Sequence, residues 1–193
     1  TLIAFAFSGY GMFRLVRTLT SSLGAAWIAG IVFAFIPYHF QRLPHLHLIF
    51  TGWIPLLLEA LVVFAARRTW RSATWLGVTF VMNALTSVTW FILTLIPLTL
   101  SGMFLIAWSH LLLDRNFWIR AIASLGLASS LILCFLFPYY RVNQLYGFAR
   151  SPDQVIGLSA WPIHWLAVSE RNKLWTGLGA AVASRAGRRC GRG

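Results

Sequence analysis

The chain has 193 residues, 59% of them hydrophobic and only 10% charged, with a formal net charge of +12 and a mean hydropathy of +0.73. Soluble domains carry about 25% charged residues, and a water-soluble fold of this length could not hide so much apolar surface. The excess positive charge does not point to nucleic acid, because the basic residues sit mostly at the ends of apolar stretches, where lipid headgroups are the nearest anions.

In chain order, apolar stretches fall at 1–13, 23–38, 53–66, 73–85, 91–113 and 118–139. A membrane-crossing helix needs roughly 17–25 predominantly apolar residues. The first stretch opens on Thr1 with no Met, no basic n-region and no small-residue cleavage site, so it is not a signal peptide. It is expected to be the end of a helix that starts upstream, in a longer protein. The run from Trp70 to Leu113 would extend roughly 65 Å as one helix and is therefore expected to be a hairpin. Its corner is expected at Thr86-Ser87-Val88-Thr89, a polar, β-branched cluster that can satisfy the backbone groups freed there.

These stretches predict an all-α fold, a polytopic transmembrane helix bundle of about six spans with the first one truncated. Residues 1–139 form the bundle, 140–175 an outer-face interfacial segment and 176–193 a disordered Gly/Ala/Arg tail. Trp161, Trp165 and Trp175 suit headgroup depth. Cys134 and Cys190 cannot form a disulfide framework or a metal site by themselves.

If the stretches cross in turn, one face receives Arg14, Arg17, Arg67, Arg68, Arg71, Arg115 and Arg120, and the short loops of the other hold only Arg42. By the positive-inside rule the arginine-rich face is cytoplasmic. Segment 39–52, the 86–90 corner and everything after Tyr139 then lie on the outer face.

Chemistry is sought first in Pro37-Tyr38-His39-Phe40-Gln41-Arg42-Leu43-Pro44-His45-Leu46-His47, which packs three His, one Arg and two Pro into eleven residues between two membrane helices. The prolines stop the flanking helices. In a short helix after Pro44, His45 and His47 would not share a face, whereas Arg42 and His45 could. Arg offers a planar, permanently charged fork for phosphate, and His adds donors and an acid or base. One reading makes this an anion site of Arg42, His45, His39 and His47; the other makes it a headgroup anchor. A metal site is not indicated, since no carboxylate sits among these residues.

Glu59 lies inside an apolar stretch, where an ionised carboxylate costs several kcal/mol unless it is paired or wetted. It is expected to face protein or a cavity, either as a functional group or as a protonated or Arg-paired structural one. Asn83, Ser87 and Thr89 are expected to join helices. No glycine-rich phosphate loop, nucleophile elbow or His-Glu-x-x-His is present, which excludes ATP-driven pumps and membrane metalloproteases of those kinds.

The run Phe-Ser-Gly-Tyr-Gly-Met-Phe, then Arg-Leu-Val-Arg-Thr-Leu-Thr, then Phe33-Ala34-Phe35-Ile36-Pro37-Tyr38-His39-Phe40, Arg42-Leu43-Pro44-His45-Leu46-His47 and Trp53-Ile54-Pro55-Leu56-Leu57 resembles bacterial multi-pass membrane glycosyltransferases of the GT-C superfamily. These are the relatives of protein O-mannosyltransferases and aminoarabinose transferases. The resemblance runs from about Thr1 to Trp175. It implies a bacterial inner-membrane protein whose partners are membrane lipids and a polyprenyl-phosphate-linked sugar donor. A sugar would pass to an acceptor on the outer face by inverting displacement. In such enzymes the carboxylate base lies in the first outer loop, upstream of these residues, so none of the four acidic residues here takes that role. A lipid or amphiphile transporter or flippase, or a non-catalytic membrane scaffold, remain the rival readings.

Overall fold

The computed structural model describes residues 1–147, and among these every regular element is helical. Helix α1 (Leu2–Thr20) ends where Ser21 turns left-handed at φ 56° and donates its N–H to the Arg17 carbonyl. Ser22 then caps α2 (Leu23–Ala34), its side chain accepting from the Ala25 N–H. Ile36 is extended, as a residue before proline tends to be, and Pro37 opens the short α3 (Pro37–Gln41) from its first position. A second short helix, α4 (Leu46–Ile49), follows Pro44 and leads into α5 (Trp53–Arg67).

Arg68, left-handed at φ 52°, closes α5, and Thr69 and Ser72 form a reciprocal capping box that starts α6 (Trp70–Thr86). The expected hairpin corner is present at Ser87. This one extended residue ends α6 and caps α7 (Val88–Trp108), its hydroxyl accepting from the Trp90 N–H. A 3-10 turn at Leu111–Leu113 precedes α8 (Arg115–Tyr146).

Among the described residues, four stretches are long and apolar enough to cross a membrane: Leu23–Gln41, His47–Arg67, Val88–Trp108 and Arg115–Tyr146. The chain therefore has the architecture of an integral membrane protein. The other two long helices are α1, which carries Arg14 and Arg17, and α6, whose 17 residues extend about 26 Å.

Three expected boundaries move. The first helix does not stop at Phe13 but continues through Arg14 and Arg17 to Thr20. Cations suit the C-terminal turns of a helix, where the carbonyl dipoles point, so the arginines do not end it. Leu111, expected inside a span, lies in the 3-10 turn with its side chain fully buried. The last helix runs seven residues past Tyr139 to Tyr146. There Gly147 at φ 59° donates back to the Asn143 carbonyl at 3.0 Å and supplies the left-handed cap. Apart from the end of α8 and Gly147, the expected interfacial segment, its three tryptophans, the tail and Cys190 lie outside the described residues.

Helix α5 holds the packing together. Its apolar window is 56% buried, against 6% for α7 and 17% for α8, so α5 is the central helix and the other two present most of their surface outward. One core joins α5, α6, the 3-10 turn and α8 through Leu57, Phe64, Leu76, Leu111 and Phe117, with the Phe64 and Phe117 rings stacked at 4.9 Å. Helices α1 and α2 meet backbone to backbone: a Cβ on Gly30 would stand 2.9 Å from the Gly9 carbonyl oxygen, the small-residue contact that apolar helices use in lipid. Gly11 approaches the Gly52 carbonyl even more closely and seats α1 on the start of α5.

Asn83, Ser87 and Thr89 do not supply the polar contacts between helices expected of them among the described residues. Ser124 Oγ donates to the Ala73 carbonyl, joining α8 to α6. Asn83 is buried with its Nδ2 unpartnered, Thr89 is exposed, and Ser87 serves its own turn. Residue type named the candidates, but helix rotation decides which of them face a neighbour.

Candidate functional site

At one end of the bundle, segment α3–α4 packs against the α6–α7 corner. Trp90 Nε1 donates to the Leu48 carbonyl at 3.0 Å, and the Tyr38 and Trp90 rings meet edge to face at 5.5 Å. The two connections that the alternation of spans assigned to one face therefore do sit together. Arg42 is exposed, with its Cζ 5.9 Å from the Tyr38 ring centroid. His45 and His47 are exposed as well.

Contrary to the helical spacing argument, the His45 and His47 rings approach each other, at 6.1 Å and nearly perpendicular. His45 is the residue before α4, at φ −116° and ψ 79°, so helical periodicity does not govern it. Its N–H donates to the Arg42 carbonyl at 2.8 Å, which folds the Arg42–His45 link into a turn.

His39 is not brought to these three. It is fully buried, and both ring nitrogens are engaged inside the protein. Nδ1 donates to the Ala34 carbonyl at 2.8 Å, and Nε2 lies 3.0 Å from the Thr51 hydroxyl. Thr51 bonds Ser8 at 3.1 Å, and Ser8 donates to the Ile49 carbonyl at 3.1 Å. Helices α1, α2, α3 and α4 are tied together by this buried chain, and His39 serves as a structural joint.

The arginine-rich residues gather at the opposite end. Arg68 Nη1 lies 3.1 Å from Asp114 Oδ2, while Arg120 donates to the Arg68 carbonyl. The other oxygen of Asp114 accepts from the N–H groups of Asn116 and Phe117 at 3.0 and 3.1 Å. The Phe117 N–H, more than the Arg68 charge, holds the Asp114 carboxyl below its usual range.

Glu59 has the partner that the sequence did not reveal. Arg14 Nη2 donates to its Oε1 at 2.6 Å, and Thr18 Oγ1 to the same oxygen at 3.3 Å. The Glu59 side chain is 3% exposed and that of Arg14 38%. The second carboxylate oxygen, Oε2, is buried with no hydrogen-bond partner. Glu59 lines an open cavity of about 1050 Å³ between α1, α5 and α6, together with Arg14, Arg17, Arg67 and Arg71. The indole Nε1 of Trp75, on the same wall, is buried and also unpartnered.

Arg14 and Thr18 were the functional candidates missed. They are four apart on α1 and so share a face, but this is visible only once α1 is extended beyond Phe13. Among the described residues no group of three or more His, Cys, Asp or Glu could hold a metal. No family model, curated protein or solved structure matches the chain.

Proposed function

We infer that the chain is the central part of a GT-C-like glycosyltransferase with about six spans, its arginine-rich end cytoplasmic. It moves a sugar from a polyprenyl-phosphate carrier to an acceptor on the outer face. The observation that supports this reading is the exposed trio Arg42, His45 and His47 on a broken-helix segment at the end of the bundle opposite the arginine cluster. There a guanidinium can grip the donor phosphate at headgroup depth, with the two imidazoles beside it. The resemblance in sequence points to the same residues. Neither described carboxylate competes for the role of base: Glu59 is ion-paired and Asp114 caps α8.

Replacing Arg42 with Ala tests it. Hydrogen bonds to a charged group contribute about 1.5–3 kcal/mol, so transfer from a polyprenyl-phosphate sugar, assayed in membranes at matched protein level, falls roughly 10- to 100-fold. Unchanged transfer removes Arg42 from the site.

A second reading, a transporter or flippase for a lipid or amphiphile, is favoured by one specific observation. Such proteins place paired charges within the bundle, and Arg14–Glu59 is such a pair. Glu59→Gln in a lipid-scrambling assay with the protein in vesicles separates the readings: a transporter loses scrambling, whereas a transferase shows none to lose.

A further inference from the structure

The cavity at the arginine-rich end has an uneven chemistry. Four arginines, Arg14, Arg17, Arg67 and Arg71, line it against one carboxylate, Glu59. Arg14 alone among the four pairs with a carboxylate among the described residues. Three guanidinium groups from three different helices thus line one space with no carboxylate partner among the described residues. Such a wall asks for an anion with several acceptor oxygens, and phosphate fits the forked geometry of Arg.

A simple anion does not satisfy the whole site. Glu59 Oε2 is a buried acceptor without a donor, and leaving such a group unmet is costly. The complementary ligand therefore carries a phosphate and, within a few bonds, a hydroxyl or ammonium hydrogen. We propose that this cavity binds a phosphate headgroup bearing such a donor, with the phosphate on Arg17, Arg67 and Arg71 and the donor on Glu59 Oε2.

Two sources share this chemistry: a membrane phospholipid entering from the headgroup layer and a soluble phosphorylated polyol. The cavity volume, about 1050 Å³, is just above the range of ordinary ligand sites, about 300–1,000 Å³, and takes either. The inference does not depend on sugar transfer, since Arg42 stands at the other end of the bundle.

The test uses the full chain in non-ionic detergent and follows binding by tryptophan fluorescence and thermal midpoint. Short-chain phosphatidylglycerol, short-chain phosphatidylmethanol and sn-glycerol 3-phosphate are titrated in turn. Phosphatidylmethanol has the same charge as phosphatidylglycerol but no headgroup hydroxyl, so it isolates the Glu59 contact. The expected result is that phosphatidylglycerol binds about tenfold more tightly than phosphatidylmethanol. Arg71→Gln weakens it about tenfold, and Arg115→Gln, which removes an exposed charge that does not line the cavity, changes it less than about twofold.

Binding of sn-glycerol 3-phosphate with the same Arg71 dependence, and no advantage for the lipid, supports the site with a soluble ligand. Equal affinity for the two lipids, equal effects of Arg71→Gln and Arg115→Gln, or binding of none of the three probes overturns the proposal.

Discussion

The Arg14–Glu59 pair gives the sharpest energetic prediction. Removing a partner from a fully buried ion pair costs about 3–5 kcal/mol, because the remaining charge is stranded, while an exposed pair is worth about 0–1 kcal/mol. Glu59 belongs to the first class at 3% exposure and Arg14, at 38%, lies between the two. After Arg14→Ala the carboxylate keeps only the Thr18 hydroxyl, at 3.3 Å, and water entering from the cavity relieves part of the loss. The expected cost is therefore intermediate, about 2–3 kcal/mol. At roughly 2–4 °C per kcal/mol for a chain of this size, the thermal midpoint in detergent falls by roughly 4–12 °C. Glu59→Gln removes the charge itself and costs less. In the double variant the stranded-charge term disappears, so the double-mutant cycle shows a coupling of about 1–2 kcal/mol. Strict additivity, or a midpoint for Arg14→Ala within about 2 °C of the parent, would refute an ionised, Arg-stabilised Glu59.

Three further outcomes follow from the packing and the caps. Phe64→Ala, at a fully buried ring stacked on Phe117, destabilises by about 3–5 kcal/mol, read as a loss of thermal midpoint in detergent. Gly30→Val drives a side chain into the Gly9 carbonyl and costs about 1–3 kcal/mol; intact stability would mean that α1 and α2 do not meet there. Asp114 has its carboxyl held low in the folded state, so its contribution is fully present above the usual carboxylate pKa and is lost as pH falls through the lowered value. Asp114→Asn should flatten the acid limb of the stability profile while changing stability little once the pH is below the lowered pKa.

Much of the fold was legible because lipid imposes simple rules. Apolar runs marked the six long helices, and the polar, β-branched cluster at 86–89 marked a corner that Ser87 does make by ending one helix and capping the next. Boundaries set by polarity were less legible. Reading the first arginine as an end cut α1 at Phe13, although the stop signal, Ser21-Ser22, lies beyond the arginines. Reading Tyr140-Arg141 as the start of a loop cut α8 early, although the helix carries Pro138 inside it and runs on to Gly147. The Gly9–Gly30 contact was not legible at all, because a glycine's use in close packing depends on which helix lies opposite.

The site shows the same division. Exposure of Arg42, His45 and His47 was foreseeable from two prolines holding the segment out of the helices, but burial of His39 was not, since it depends on Ser8 and Thr51 from elsewhere in the chain. Glu59 is more instructive. An ionised carboxylate inside an apolar span must find a cation or a donor, so its presence already demanded a partner from another helix. Arg14 and Thr18, one helical turn apart, form a pair of donors able to converge on one oxygen, and in the structure they do. The demand was readable from Glu59 and the supply from α1, provided the helix is carried through its arginines to Ser21. What the sequence could not supply was the second oxygen: that Oε2 is left without a donor, on a cavity also lined by three arginines with no carboxylate partner among the described residues, is a property of how α1, α5 and α6 converge. That convergence turns an ordinary structural ion pair into one wall of a binding site.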